Sequence, residues 1–319
     1  MLKRLLSLVV VLSITTTASA ETLRVATLNC EFLITSKVHI KYGFPFTLNA
    51  SDKAVWNAGT FRKDKFEAAA NVVAKEIKAI AADVIVLTEV GDEADVEFLR
   101  ASVAAEGLVY PFHKVCDSSD STGQHVAVFS KFELTDVVKR IPGREFYDVE
   151  IDDNEEGDTG VSKGIRVTFQ FAGETIHLYG VHLISERGGA ESDNKRVAQA
   201  SIIRRHYLPL LNAGKHVIVA GDLNDKRGDR PIRRIRGRDD LYGDLIQTGV
   251  ERYWKDADKL GERWTYEYKG ERNQIDHILP SWSLRDGSNI KASAYVPTGV
   301  LPGGHDVTDH RGLIVEIEL

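Results

Sequence analysis

Two cysteines in 319 residues, Cys30 and Cys116, make no zinc centre of the multi-cysteine kind and permit at most one disulfide. A bridge and a pair of buried thiols both stay open. Long apolar runs are missing too: the longest at the N-terminus covers residues 5–14, whereas a membrane-spanning helix needs about 20. No Pro/Ser-rich linker, abrupt composition shift, short repeat or low-complexity tract divides the chain. Positive charge is not in excess, with 41 Lys and Arg against 47 Asp and Glu and a net charge of −6, so a uniformly basic coat for nucleic acid is excluded. A polyanionic substrate is not excluded, because local charge governs attraction and a metal ion in a carboxylate cluster inverts the local field.

What is present starts with MLKRLLSLVVVLSITTTASA: Lys3 and Arg4, the apolar run, then small residues ending Ala18-Ser19-Ala20. That order predicts a secretory signal over residues 1–20, cleaved after Ala20. The expected product is a secreted or periplasmic protein with no stable membrane association. Residues 21–319 then form one domain, with 39 basic residues against 47 acidic ones. At 43% hydrophobic and 28% charged, the composition is that of a globular protein with ample material for a core.

TLRVATLNCEFL (22–33) alternates as a half-buried strand ending at Asn29 to Glu31, and residues 35–60 read as a long loop. Phe66, Ala70, Val73 and Ile77 form one helical stripe that leads into the apolar strand DVIVLTEV, and a further helix is expected over 94–106. HVAVFSKF, IRVTFQF, IHLYGVHLI and HVIVAGDL are short β-rich runs, with a helix near 193–211 between the last two. QIDHILPS and RGLIVEIEL read as the final strands. The mixed order suggests two packed sheets with helices outside.

Polar signatures follow these apolar runs: Asn29 with Glu31, Glu89, His182, Asp222 with Asn224, Asp276, and Asp309 with His310. Any one alone is explained by a turn, a solvated carboxylate or a satisfied core histidine. Strand ends of layered α/β proteins converge in space, so the ordered set points to a site.

Taken in order, ATLNCE, VLTEV, GQHVAVFSK, GVHL, GDLND, QIDHIL and TDHRGL resemble the endonuclease/exonuclease/phosphatase superfamily, the deoxyribonuclease-I-like and exonuclease-III-like enzymes. The resemblance spans nearly all of the mature chain. It implies a four-layer α/β sandwich, two packed mixed β-sheets flanked by helices, and metal-dependent hydrolysis of a phosphoester. It further implies metal roles for Asn29, Glu31, Glu89 and Asp309, and catalytic roles for His182, Asp222, Asn224, Asp276 and His310. In that pattern Asp276 orients the imidazole of His310, and His182 donates a proton to the leaving oxygen. By the period of two, Glu31 faces the same way as Asn29 and Asn224 the same way as Asp222, while Asp225 turns away as a turn residue. The oxygen-rich donor set suits Mg²⁺, with Mn²⁺ or Ca²⁺ as alternatives.

For the substrate, accessory residues speak. Lys226, Arg227, Arg230, Arg233, Arg234, Arg236 and Arg238 follow the GDLND stretch, and Lys195, Arg196, Arg204 and Arg205 lie on the preceding helix. Such cations can grip a nucleic-acid backbone, DNA in the first place and RNA as an option, or can pair with neighbouring aspartates as a solvated loop. Trp254, Trp264 and Trp282 are scattered and form no apolar cluster for a bilayer. A non-specific nuclease is the expectation, against a phosphodiesterase or phosphatase for lipid or small phosphoesters. A non-catalytic binding or effector protein on the same fold is the alternative of another class.

Overall fold

The stretch Val84–Leu87 has no polar residue, and a strand of that kind has to be covered on both faces. The computed structural model, which describes residues 20–57, 61–148, 157–226, 228–237, 264–284 and 290–319, shows what covers it. In chain order the elements are β1 (Thr22–Leu33), α1 (Ala50–Asn57), α2 (Phe61–Ile80), β2 (Val84–Val90), α3 (Glu93–Ala105), β3 (Phe112–Val115), β4 (His125–Ser130) and β5 (Thr135–Val138). The hairpin β6 (Glu145–Tyr147) and β7 (Gly157–Thr159) leads to β8 (Gly164–Phe171), β9 (Glu174–His182), α4 (Gly189–Asn212), β10 (His216–Asp222) and α5 (Arg230–Arg236). A second hairpin, β11 (Tyr266–Tyr268) and β12 (Glu271–Asn273), precedes β13 (Asp276–Pro280), β14 (Ile290–Tyr295) and β15 (Gly312–Glu318).

Six strands form one sheet in the order β14-β15-β1-β2-β4-β3, and five form another in the order β13-β10-β9-β8-β5. Each sheet is antiparallel except for one parallel pair, β1 with β2 and β9 with β10. Each pair is joined by a helical crossover, as parallel neighbours require. Alternation along the strands sorts side chains into three cores. Leu28, Ile85 and Leu87 meet Phe66, Ala70, Val73 and Ile77 of α2. Val25, Val84 and Val86 meet Ile165, Leu178 and Ile218 between the sheets. Val181, Val217 and Val219 meet Ile202, Ile203 and Ile235 of α4 and α5. The layers run helix, sheet, sheet, helix, which is the four-layer α/β sandwich that the resemblance implied.

Three readings need correction. β1 is buried on both faces over most of its length, not half-buried, because α2 covers one side and the second sheet the other. Residues 35–60 are not a single loop: a 3₁₀ turn at Ile40–Tyr42 and α1 interrupt it. Cys30 and Cys116 are buried thiols that lie on opposite faces of the six-stranded sheet, which resolves the disulfide question. Among the described residues no helix is long and apolar enough to cross a membrane. Residues 1–19 of the expected leader, Arg227, Arg238 and Trp254 lie outside the described residues.

One glycine matters for the site. Gly221, in β10, has φ +138°, and a Cβ there would sit 1.9 Å from the carbonyl oxygen of Val181. Only glycine lets β9 and β10 close together where both reach the site. Gly214 also has positive φ (+70°), but a Cβ there meets nothing. Gly214→Ala should therefore cost about 1–2 kcal/mol, the left-handed penalty alone. Gly221→Ala should cost several times more in urea unfolding, and equal losses for the two variants would contradict the contact.

Candidate active site

The carboxyl ends of both parallel pairs, β1 with β2 and β9 with β10, point to the same rim of the sandwich. Register does the rest: β10 places Asp222 opposite His182 on β9 and opposite Asp276 on β13. Three chemically active side chains thus stand in a row across three strands. Asn29 bridges from the other sheet, its Nδ2 donating to Asp222 Oδ2 at 2.9 Å and to Glu89 Oε1 at 3.3 Å. The backbone N–H of Phe32 donates to Glu89 Oε2 at 3.0 Å. His182 Nε2 lies 3.7 Å from Asp222 Oδ2 and 3.9 Å from Glu89 Oε1.

At the other end of the row, His310 Nδ1 lies 2.7 Å from Asp276 Oδ2, and both residues are buried. Burial disfavours a charged His310, but the charge and hydrogen bond of Asp276, then Asp222 and Asp309, push its pKa up to about 10. His310 is therefore a cation at neutral pH. Burial, with Lys163 and His310 adding to it, holds His182 well below its usual value and keeps it neutral. Burial and then the charge of Asp276 push Asp222 up to about 7. Ligand atoms of Glu89, His182 and Asp222 lie within 4.8 Å of one another, and so do those of Asp222, Asp276 and His310. Asp222 belongs to both groups. His182 Nδ1 and Asp276 Oδ1 are buried without a hydrogen-bond partner among the described residues, so the cluster retains polar capacity.

Other expected residues stand differently. Glu31 does not follow the period of two, because Glu31 and Phe32 have φ of 44° and 50° and the β1–β2 register shifts there. Its Oε2 lies 3.7 Å from Lys41 Nζ, and burial, only partly offset by Lys41, pushes its pKa up to about 7. Asp309 stands at the rim with a half-exposed side chain, its Oδ1 3.8 Å from His310 Nε2. Asn224 does not share a strand face with Asp222: the strand ends at Asp222, φ at Asn224 is 51°, and its Nδ2 donates to the carbonyl of Leu183 at 3.0 Å. Glu89 also has positive φ, 57°, so three of the expected site residues carry backbone strain of about 1–3 kcal/mol each.

The basic residues divide. Arg233 is exposed, Arg230 donates to Asn194 Oδ1 at 3.0 Å, and Arg234 donates to Ser201 Oγ at 2.8 Å, each with exposed surface left over. Arg236 is buried and cannot meet a polyanion, because it shares the inward stripe of α5 with Ile232 and Ile235. The α4 cations are committed to the protein itself. Arg196 is buried between Asp225 and Asp193, Arg205 pairs with Glu145, Lys195 with Glu191, and Arg204 donates to Tyr207. Asp225 is accordingly more than a turn residue: it is the buried counter-ion of Arg196, and its carbonyl accepts from His277 Nε2 at 2.8 Å.

Lys41 was not legible in the sequence, where it sits in an unpatterned stretch. Its side chain is fully buried, and Nζ donates to the carbonyls of Cys30 at 2.8 Å and Val307 at 2.5 Å. Thr308 Oγ1 donates to the carbonyl of Asn29 at 2.8 Å and accepts from the N–H of His310 at 3.1 Å. Together they fasten the segment bearing Asn29 and Glu31 to the one bearing Asp309 and His310. Leaving a buried acceptor without its donor costs about 1–3 kcal/mol. Lys41→Met should lose stability of that order in urea unfolding, and near-native stability would show that the lysine is dispensable.

A sequence profile of the Endonuclease/Exonuclease/phosphatase family matches residues 54–310. Among curated proteins, none matches the sequence. Truncated TDP2 of Caenorhabditis elegans superposes with a TM-score of 0.56 at 14% identity, over 93% of this chain and 98% of that one. Beta toxin of Staphylococcus aureus gives 0.57 at 15% identity over 92% and 99%. An endonuclease/exonuclease/phosphatase from Bacteroides vulgatus gives 0.55 at 14% over 94% and 99%. At such identities these likenesses establish the fold alone.

Proposed function

Since this chain belongs to the Endonuclease/Exonuclease/phosphatase family and is a hydrolase of phosphoric esters, we propose that it is an exported, metal-dependent phosphodiesterase that cleaves nucleic acid, DNA foremost, without reading its sequence. One observation carries the reading. Asp222 is shared between an oxygen-rich group, Glu89 with Asn29 and His182, and the buried Asp276–His310 pair.

The donor set fits a hard divalent ion: the carboxylates of Glu89 and Asp222 converge, fixed by the amide N–H groups of Asn29, with polar capacity still unspent. Glu89 and Asp222 would hold it, with Asn29 orienting both and Glu31 and Asp309 contributing from the rim. Bound there, Mg²⁺, Mn²⁺ or Ca²⁺ would offset the charge that develops on the phosphoryl oxygens. A solved form of beta toxin carries bound magnesium ions, which supports the choice of ion.

The residues divide the work by charge state. His310, held protonated by Asp276, faces a phosphoryl oxygen as a fixed cation. A protonated histidine cannot take a proton from water, which leaves Asp222 as the acceptor. Water attacks phosphorus in line and gives its proton to Asp222, the ester P–O bond opens, and neutral His182 donates a hydrogen bond to the leaving oxygen, which takes its proton from solvent. Asn224, tied to Leu183, closes the edge of the site. No covalent intermediate is required. Arg230, Arg233 and Arg234 are the exposed arginines of α5 that a polyanionic strand can meet. The leader sequence supports export to a periplasm or the exterior.

Plasmid nicking should require a divalent ion and stop with EDTA, and Asp222→Ala or His310→Ala should lower turnover by about 10²-fold or more. Intact plasmid and intact single-stranded circular DNA with Mg²⁺, Mn²⁺ and Ca²⁺ each supplied would overturn the nuclease reading. Neutralising Arg233 and Arg234 together should raise the KM for DNA and flatten its salt dependence, while a small diester is hydrolysed as before. An unchanged salt slope would remove them from the substrate path.

A further inference from the structure

Tyr266 covers the ring of His310, with centroids 4.7 Å apart and planes 33° apart, and the two residues form an antiparallel backbone bridge. Two residues further along β11, Tyr268 projects to the same side. Its ring is parallel to that of Tyr266 within 7°, with centroids 6.4 Å apart. Aromatic faces thus run outward in a column from the catalytic imidazole to Tyr268, which is 55% exposed. The Nζ of Lys269 caps that last ring at 5.1 Å from its centroid.

The column is fixed to the site. Thr265 Oγ1 accepts from the backbone N–H groups of Ile275 and Asp276, both at 3.0 Å, so the hairpin hangs from the strand that carries the partner of His310. The backbone N–H of Arg311 donates to the carbonyl of Thr265 at 2.7 Å, and its guanidinium lies 3.5 Å from the ring centroid of Trp264. A rigid aromatic face beside a phosphate-cleaving centre is a place for a planar group attached to that phosphate.

Charge on the hairpin identifies the group further. Glu267, on the opposite face, pairs with Arg272, and Glu271 stands opposite Tyr268 in the register. The hairpin as a whole balances Glu267 and Glu271 against Lys269 and Arg272, so what distinguishes it is aromatic surface and not net positive charge, which suits a base over a phosphate. The bases of a duplex are stacked on each other and unavailable to it. The tip, Lys269-Gly270, is polar, and both tyrosine rings bear hydroxyls, which is poor chemistry for entering a bilayer.

We propose that the Tyr266–Tyr268 face is a stacking subsite for an unpaired nucleobase beside the scissile phosphate, so that the chain takes single-stranded nucleic acid in preference to duplex. This rests on the nucleic-acid reading of the site. Binding without hydrolysis tests it, by fluorescence anisotropy in EDTA with labelled oligothymidylate, a duplex of equal length and an abasic backbone of equal length. Oligothymidylate should bind tighter than either of the others. Tyr268→Ala should weaken that binding by about tenfold or more and leave the abasic backbone unaffected, while Tyr268→Phe retains it. Equal affinity for oligothymidylate and the abasic backbone, or an unaffected Tyr268→Ala, overturns the proposal. So does a Tyr268→Ala variant that loses only its binding to phosphatidylcholine–sphingomyelin vesicles, since the face is then a lipid contact. Failure of the nuclease reading is separately visible, as base-dependent binding without any EDTA-sensitive cleavage.

Discussion

Everything at the rim depends on burying several carboxylates within a few ångströms of one another. Asp222 and Asp276 have almost no contact with solvent, and Glu31 and Glu89 have little. Such a cluster is tolerated only if positive charge or hydrogen-bond donors are built in beside it. The fold supplies them from distant parts of the chain: Lys41 behind Glu31, His310 against Asp276, Asn29 between Glu89 and Asp222. The compensation is incomplete, as the raised pKa values of Glu31 and Asp222 record. That residual demand for positive charge is the physical basis for a cation site.

The architecture explains why the demand arises where it does. Antiparallel neighbours alternate direction, whereas the parallel pairs present two carboxyl ends side by side, and the two sheets stack these pairs against each other. Polar residues at four strand ends then converge with no long loop to carry them. Rigid strands hold the chemistry, and hairpins and short helices around it are left to meet the substrate.

Much of this was legible because its signals are local. Glu89, His182, Asp222 and Asp276 each follow or begin a continuous apolar strand, and their order along the chain is distinctive. Arithmetic on strand periodicity failed where the backbone is left-handed, at Glu31 and beyond Asp222 at Asn224, because side-chain alternation holds only while φ stays extended. The pairing of Arg196 with Asp225, and of Lys41 with the Val307 carbonyl, joins residues 29 and 266 positions apart, and no local pattern reports such contacts. The burial of Arg236 was within reach: Ile232, Ile235 and Arg236 share one helical stripe, but the density of arginines hid it. The hairpin carrying Tyr266 and Tyr268 has strands of three residues, too short for periodicity to declare.

The clasp between Lys41 and Val307, together with the pairing of β1 against β15, has a consequence in time. Asn29 and Glu31 emerge from the ribosome well before Asp309 and His310. Until residues 307–318 have been made and lie beside β1, His310 is not in place against Asp276. Contacts at such separation form late in folding. A chain still being made therefore has an incomplete cluster at this rim, and the hydrolase is assembled only when its two distant segments meet.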